Sequence, residues 1–141
     1  MPLSIEEIAE YGFSGSHITD IKIPFGFAPK LWNEAFRDNK SIKNLEIDCQ
    51  SVSEDCFLNC ESLQTIHFGS HARNINETAF YQCININTIT FEEGIKNIYR
   101  LAFGSCRALK SINFPASIKL IDHSAFDGCS TLSNITFENG I

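Results

Sequence analysis

Pairs of apolar residues separated by one polar residue recur along this chain. Ile66-His67-Phe68 and Ile89-Thr90-Phe91 show the pattern most clearly, and a period of two is that of a strand with one buried face. The same alternation recurs at Ile21-Lys22-Ile23, Leu45-Glu46-Ile47, Ile112-Asn113-Phe114 and Ile135-Thr136-Phe137. We therefore predict six short strands, each directing two apolar side chains inward.

A second motif recurs at the same position in each of four repeat units. It reads Ala-Phe-x-x-Cys, with Cys in place of Ala in the first copy, and it occupies residues 56–60, 79–83, 102–106 and 125–129. Each Phe lies 23 residues after the previous one. Because a period of about 20 to 50 residues is typical of a solenoid, whose units bury their apolar faces only by stacking, the motif predicts that architecture.

Weaker copies extend the repeat toward the N-terminus. Ala35-Phe36 with Asn39 in the Cys position matches with a two-residue deletion between Ile47 and Val52, and Phe13 marks a looser copy. Before it, a capping box of Ser4 and Glu7 and a stop at Gly12 predict a short helix. We predict a single domain, with an N-terminal cap helix at 1–12 and a β-rich solenoid at 13–141 of about five to six units, the last incomplete.

Composition excludes several classes of function. The 141-residue chain carries 17 acidic and 11 basic residues, for a formal charge of -6, and its Lys and Arg are scattered, so nucleic acid is not a predicted partner. No basic leader precedes an apolar run, and nowhere do 18 apolar residues stand together, so no membrane insertion is predicted. His67 and His71 fall on a strand and in the following turn rather than on one helix face. We predict no metal, no cofactor and no enzymatic activity.

The motif Leu-x-x-Ile-x-Phe with a downstream Ala-Phe-x-x-Cys resembles the leucine-rich repeats of the BspA-like, Treponema pallidum-type family over about residues 13 to 141. The resemblance implies a right-handed leucine-rich repeat coil, with short parallel strands on its concave side. It also implies an adhesion or protein-binding role on the surface of bacteria or protozoan parasites. The partner would then be a host or cell-surface protein, and the protein would be secreted or displayed on the cell.

The fold also implies a ladder position whose inward side chain bonds the backbone of the adjoining loop. Asn39 and the in-phase Cys would fill it, Asn strongly and Cys weakly. The predicted ladder residues are Asn39, Cys60, Cys83, Cys106 and Cys129. Stacked in one column about 4.8 Å apart with parallel side chains, these Cys have poor geometry for disulfides and should be buried thiols. Cys49, in the turn after Ile47, is predicted to be the exposed thiol.

The residues between the inward pairs should form the candidate binding surface. The central column is Lys22, Glu46, His67, Thr90, Asn113 and Thr136, and the column beside it includes Thr65, Thr88, Ser111 and Asn134. Six strands of four residues offer roughly 400 Å², against about 800 Å² per partner in a standard interface. An aromatic cluster of Trp32, Phe25 and Phe27 lies outside the repeat phases, and both packing under the cap and a ligand-facing patch remain open for it.

The final residues 137–141 repeat the phase of 91–95, so the chain stops inside a unit. An uncapped coil exposes apolar surface, which predicts further repeats or end-to-end self-association. A segment of a cell-surface binding protein is the favoured hypothesis. An intracellular scaffold or effector in the cytoplasm is the alternative, since no signal peptide is present and the thiols would suit a reducing compartment.

Overall fold

The chain coils into a parallel β-solenoid, as the 23-residue period predicts. The structure is a computed structural model, and it describes residues 8–9, 11–13, 15–27 and 32–139. The strands within these residues are β1 (Asp20–Ile23), β2 (Asn44–Ile47), β3 (Ser51–Val52), β4 (Thr65–Phe68), β5 (Asn74–Ile75), β6 (Thr88–Phe91), β7 (Asn97–Ile98), β8 (Ser111–Phe114), β9 (Leu120–Ile121) and β10 (Asn134–Phe137). Each of the six predicted apolar alternations lies in one of the six four-residue strands, so the prediction of six short strands is confirmed.

The four-residue strands line one side of the coil, and we call them the broad sheet (β1, β2, β4, β6, β8 and β10). Paired strands are parallel and in register: Ile47 lies opposite Phe68, which lies opposite Phe91. Alternate side chains of β2 are exposed and buried, as a period of two requires. The register therefore brings the same repeat position of each unit into one column.

The broad sheet is interrupted between β6 and β8. Hydrogen bonding runs through β1-β2-β4-β6 and separately through β8-β10. After β6, the backbone N–H of Glu92 donates to the Phe68 carbonyl at 2.9 Å, but Pro115 occupies the equivalent position after β8 and has no N–H. The proline removes one bond from the junction. The rings of Phe91 and Phe114 there stand 6.0 Å apart, against 5.2 Å for Phe68 and Phe91.

The two-residue strands β3, β5, β7 and β9 form a second parallel sheet, the narrow sheet, without interruption. Its apolar side chains form the wall of the core opposite the broad sheet, and Ile75 and Ile98 among them are fully buried. The turn between the sheets spans residues 69–73 in the third unit but only 48–50 in the second. The predicted two-residue deletion is thus absorbed in this turn, and the pairing of β3 with β5 continues.

Aromatic rings of the Ala-Phe step stack into a continuous column inside the coil. Phe57, Phe80 and Phe103 follow one another at 5.2 Å with their planes within 3° of parallel. The preceding Ala residues, such as Ala79 and Ala102, are fully buried beside them. A small residue next to each ring leaves room for one ring per coil, so the column fills the interior without collision.

The first coil begins at Phe13. Its ring stacks on Phe36 at 4.9 Å and 7°, which continues the aromatic column and confirms the looser N-terminal copy. Residues 1–7 and 10 of the predicted cap helix lie outside the described residues. Of the remaining positions, Tyr11 and Gly12 form a turn in which the Gly12 N–H donates to the Ala9 carbonyl at 2.9 Å. Across the described ranges, no helix has the length and apolar character needed to cross a membrane.

Candidate binding face

The outward side chains of the broad sheet form an exposed polar surface, which we call the broad-sheet face. Its two columns contain all ten residues named from the sequence, and each is exposed or half-exposed. These residues are Lys22, Glu46, His67, Thr90, Asn113 and Thr136 in the central column, and Thr65, Thr88, Ser111 and Asn134 beside it. The structure therefore brings the residues together on one surface, because the parallel register aligns them.

Neighbouring side chains on this face are joined by hydrogen bonds. At the first strands, the Asn44 amide donates to Asp20 Oδ1 at 2.9 Å, and Thr65 Oγ1 donates to Asn44 Oδ1 at 2.6 Å. At the last strands, Thr136 Oγ1 donates to Asn113 Oδ1 at 2.7 Å. Such links restrict the side-chain rotamers of the face, and a surface ordered in this way loses less entropy when it binds a ligand.

Charged groups follow the central column. Lys22 Nζ lies 3.3 Å from a Glu46 carboxylate oxygen. His67 contacts Thr90 Oγ1 through Nδ1 at 2.7 Å and a Glu92 carboxylate oxygen through Nε2 at 3.3 Å. A shallow cavity of about 380 Å³ spans β1, β2, β4 and β6 above these side chains. The face is therefore grooved and polar, with its charges paired.

A carboxylate clamp closes the edge of the face between the second and third units. Asp48 accepts a hydrogen bond from the His71 backbone N–H at 2.9 Å and contacts His71 Nδ1 at 2.9 Å. Burial disfavours the ionised carboxylate, but the hydrogen bonds from the His71 backbone and side chain outweigh it and lower the pKa of Asp48. Gly69 makes the approach possible, since a Cβ there would stand 2.3 Å from Asp48 Oδ1.

The five ladder residues lie inside the coil, in one column. Asn39 donates from its amide to the Phe13 carbonyl at 2.9 Å and accepts from the Ser41 and Ile42 N–H groups at 2.9 and 3.1 Å. The ladder thiols donate to carbonyls of the preceding unit: Cys60 to Phe36, Cys83 to Phe57 and Cys129 to Phe103 at 3.1 Å, and Cys106 to Phe80 at 3.6 Å. These contacts join successive coils.

The six Cys are thiols in the structure, and they differ in their acidity. Burial raises the pKa of Cys83 well above its ordinary value. The neighbouring Cys106 thiol, which can turn to donate to a thiolate at Cys129, outweighs partial burial and lowers the pKa of the half-buried Cys129. The prediction that Cys49 is the exposed thiol is wrong: Cys49 is only 1% exposed, because the short turn directs its side chain inward to the Ser51 carbonyl. Burial raises its pKa to about 12.

The N-terminal aromatic cluster divides between packing and exposure. Trp32 is buried, and Phe27 packs against its edge with ring centroids 5.3 Å apart. Phe25, in contrast, is 66% exposed and stacks on His71 at 4.0 Å. Sequence reasoning missed both the Asp48–His71 clamp and this stacking. The 23-residue spacing of Asp48 and His71, which places them side by side, was the available signal.

No group of three or more His, Cys, Asp or Glu residues capable of holding a metal ion occurs among the residues described.

The parallel coils and the ladder of Asn and Cys side chains are typical of one known class of repeat. A family model for the BspA type leucine rich repeat region, with six copies, matches residues 1–66 and 50–141. The chain belongs to the BspA-type leucine-rich repeat family.

Two solved structures resemble this BspA-type chain. A leucine rich cell surface protein from Faecalibacterium prausnitzii A2-165 matches with a TM-score of 0.80 and 29% identity, over 95% of this chain and 35% of that chain. A leucine-rich repeat protein from Eubacterium ventriosum ATCC 27560 shares the fold, with a TM-score of 0.71 and 22% identity, over 90% of this chain and 41% of that chain. The BspA-type chain thus spans about a third of the length of the first. A comparison with curated proteins finds no match.

Proposed function

We propose that this chain is a non-enzymatic protein-binding module of a cell-surface protein, and that the broad-sheet face is its binding surface. The observation that carries the proposal is the division between repeated and variable positions. The repeated Phe, Ile and Cys residues form the core and the ladder, whereas exposed positions such as Glu46, His67 and Thr90 differ from unit to unit. Variation on a fixed scaffold supplies recognition, since the core positions are occupied by packing.

The chemistry of the face favours binding over catalysis. His67 is engaged with Thr90 and Glu92, and the carboxylate of Asp48 is engaged with His71. These pairs order the surface rather than present an activated nucleophile. The description of the Faecalibacterium relative as a cell surface protein supports the same location for this chain.

Photo-crosslinking tests this proposal directly. A photoreactive phenylalanine analogue is placed at Thr65 or Thr88 on the broad-sheet face, and at Gln82, an exposed residue in the turn that follows Phe80, as the control. We expect a protein of the host surface or of a neighbouring cell to be captured from the two face positions and not from Gln82. Untagged wild-type chain should compete for it. Equal capture from all three positions, or none from the face, would overturn the proposal.

The same proposal includes self-association through the last described coil. Ile135 and Phe137 are 52% and 61% exposed, and Leu120 and Ile121 of the narrow sheet are 38% and 37% exposed. In earlier coils the corresponding positions are core, as Ile66 and Phe68 show at 1% and 0%. This apolar surface supports contact with another coil of the same kind.

A further inference from the structure

Phe25 is an exposed aromatic ring that separates two clefts beside the broad-sheet face. One cleft, of about 270 Å³, lies toward the sheet and is lined by Glu46, Asp48, His67 and Glu92 among others. The other, of about 220 Å³, lies toward Gln50 and Arg73. Large exposed aromatic side chains flanked by concave surface are the residues that most often anchor protein interfaces.

The Phe25 ring reaches across the short turn of the second unit to a residue of the third. That turn has three residues, 48–50, where the next unit has five, so the loop after β1 can reach past it. The Phe25 ring stacks on His71 of the third unit at 4.0 Å and an interplanar angle of 30°. Within the loop, the Phe27 N–H donates to the Pro24 carbonyl at 3.2 Å. The ring is therefore supported on one side and open on the other.

The cleft between Phe25 and the sheet carries an excess of carboxylates. Glu46, Asp48 and Glu92 face it, together with one ammonium group, Lys22, which is paired with Glu46 at 3.3 Å. The carboxylate of Asp48 is already hydrogen-bonded to His71. The Glu92 side chain, in contrast, is 53% exposed and contacts His67 at 3.3 Å. Glu92 thus presents an accessible carboxylate across the cleft from an aromatic ring.

We propose that this cleft, which we call the Phe25 cleft, receives an arginine side chain of the partner protein. A guanidinium can stack on the face of an aromatic ring while its planar N–H groups pair with a carboxylate, so one side chain satisfies both walls. The opposite cleft carries Arg73, which would repel such a cation. This inference rests on the proposed function, because the broad-sheet face supplies the remaining contact area to the same partner.

An NMR titration tests the inference with a defined probe. N-acetyl-arginine N-methylamide is added to ¹⁵N-labelled protein, and the citrulline analogue, which has nearly the same shape without the charge, is the matched ligand control. We expect saturable shifts of the amide signals of Phe25, Gly69 and Glu92 with arginine and none with citrulline. Equal shifts with both ligands, or shifts that do not saturate, would sink the inference.

Variants locate the site. Phe25→Ala should weaken arginine binding about twofold to fivefold, the usual contribution of an exposed cation–π contact. Glu92→Gln should weaken it as well, and added salt should reduce the wild-type affinity. Phe137→Ala, which removes an equally exposed ring at the far end of the coil, should leave affinity unchanged. Unchanged spectra away from the cleft show that each variant is folded; a Phe25→Ala variant that is folded and binds normally would contradict the assignment.

The two experiments separate the two proposals. If crosslinks form at Thr65 and Thr88 but arginine does not bind, the Phe25 cleft is rejected and the binding face is retained. If arginine binds at Phe25 but no protein is captured from the face, the cleft is retained as a cation site and the broad-sheet face is rejected.

Discussion

In the described coils, every non-glycine residue with a positive φ lies two residues before or after a repeated Phe. Asp55 and Asn59 flank Phe57 with φ of 55° and 60°, and Thr78 and Gln82 flank Phe80 with 55° and 60°. The conformation is fixed by bonds to the next coil, such as Asn59 N–H to the Tyr81 carbonyl at 2.8 Å. The stacked coils thus impose a left-handed backbone that most L-residues resist.

This imposed conformation predicts a stabilising substitution. Gln82→Gly should raise the free energy of unfolding by about 0.5–1 kcal/mol, because relief of the left-handed strain exceeds the entropic cost of glycine. The reverse change, Gly128→Ala, should destabilise, since φ there is 73° and the new Cβ would lie 3.0 Å from Ser105 Oγ. Urea denaturation measures both. Lys96→Gly, at an exposed position without positive φ, is the control and should lower stability.

Thiol acidity predicts which Cys reacts first. Cys129 is half-buried and its pKa is lowered by the Cys106 thiol, whereas burial raises the pKa of Cys49 to about 12. We expect one thiol to react rapidly with Ellman's reagent in the folded protein and six after unfolding. Cys129→Ser should abolish the rapid phase, and Cys49→Ser should leave it intact. A rapid phase that survives Cys129→Ser would contradict this assignment.

At the scale of elements, the broad sheet is interrupted at the junction of β6 and β8, which Pro115 follows. Pro115→Ala supplies an N–H that can donate to the Phe91 carbonyl, as Glu92 donates to Phe68. We expect slower amide hydrogen exchange in β8, because the two halves of the sheet would then be bonded. Pro24→Ala is a matched control, since Pro24 follows β1, which lies at the edge of its sheet. Equal slowing in both variants would argue against the junction as the cause.

The Asp48–His71 clamp between units predicts an acid dependence. Because the pKa of Asp48 is lowered in the folded state, its contribution to stability is present above the ordinary Asp value of 3.8 and is lost as the pH falls through the lower folded value. Asp48→Asn should therefore flatten the fall in stability below about pH 4. Denaturation curves at a series of pH values measure this. An acid dependence identical to that of the wild type would show that the clamp does not contribute.

Sequence alone predicts the elements well, because period and alternation are local properties. It predicts the six strands, the constant position of the repeated Phe and the short second-unit turn. It does not predict the contacts of residues without equivalents in other units. Cys49 lies in that short turn and Phe25 lies beside it, where no other copy indicates which way a side chain points. The break at Pro115 could have been read from the missing N–H, had the register been known.

At the scale of the whole molecule, the chain is a stack in which each coil contacts its neighbours, so stability is close to a sum of coil and interface terms. The last described coil leaves large apolar side chains exposed, among them Ile135 and Phe137. Phe137→Glu should therefore reduce any concentration-dependent association measured by light scattering, while Phe25→Glu, on the side of the coil, should not. Association that persists unchanged in Phe137→Glu would exclude this end as the contact.

The three-residue turn at 48–50 has a consequence for how such arrays change in length. Ile47 still lies opposite Phe68 and Ser51 still lies opposite Asn74, although two residues are missing between them. Register is therefore independent of the number of residues in this turn. Insertions and deletions can accumulate at residues 48–50 and 69–73 and at the corresponding turns, whereas a single added residue between a repeated Phe and its Cys would displace a ladder thiol from its carbonyl. The number of residues is therefore fixed between each repeated Phe and its Cys, whereas it is free to change in the turns between the broad and narrow sheets.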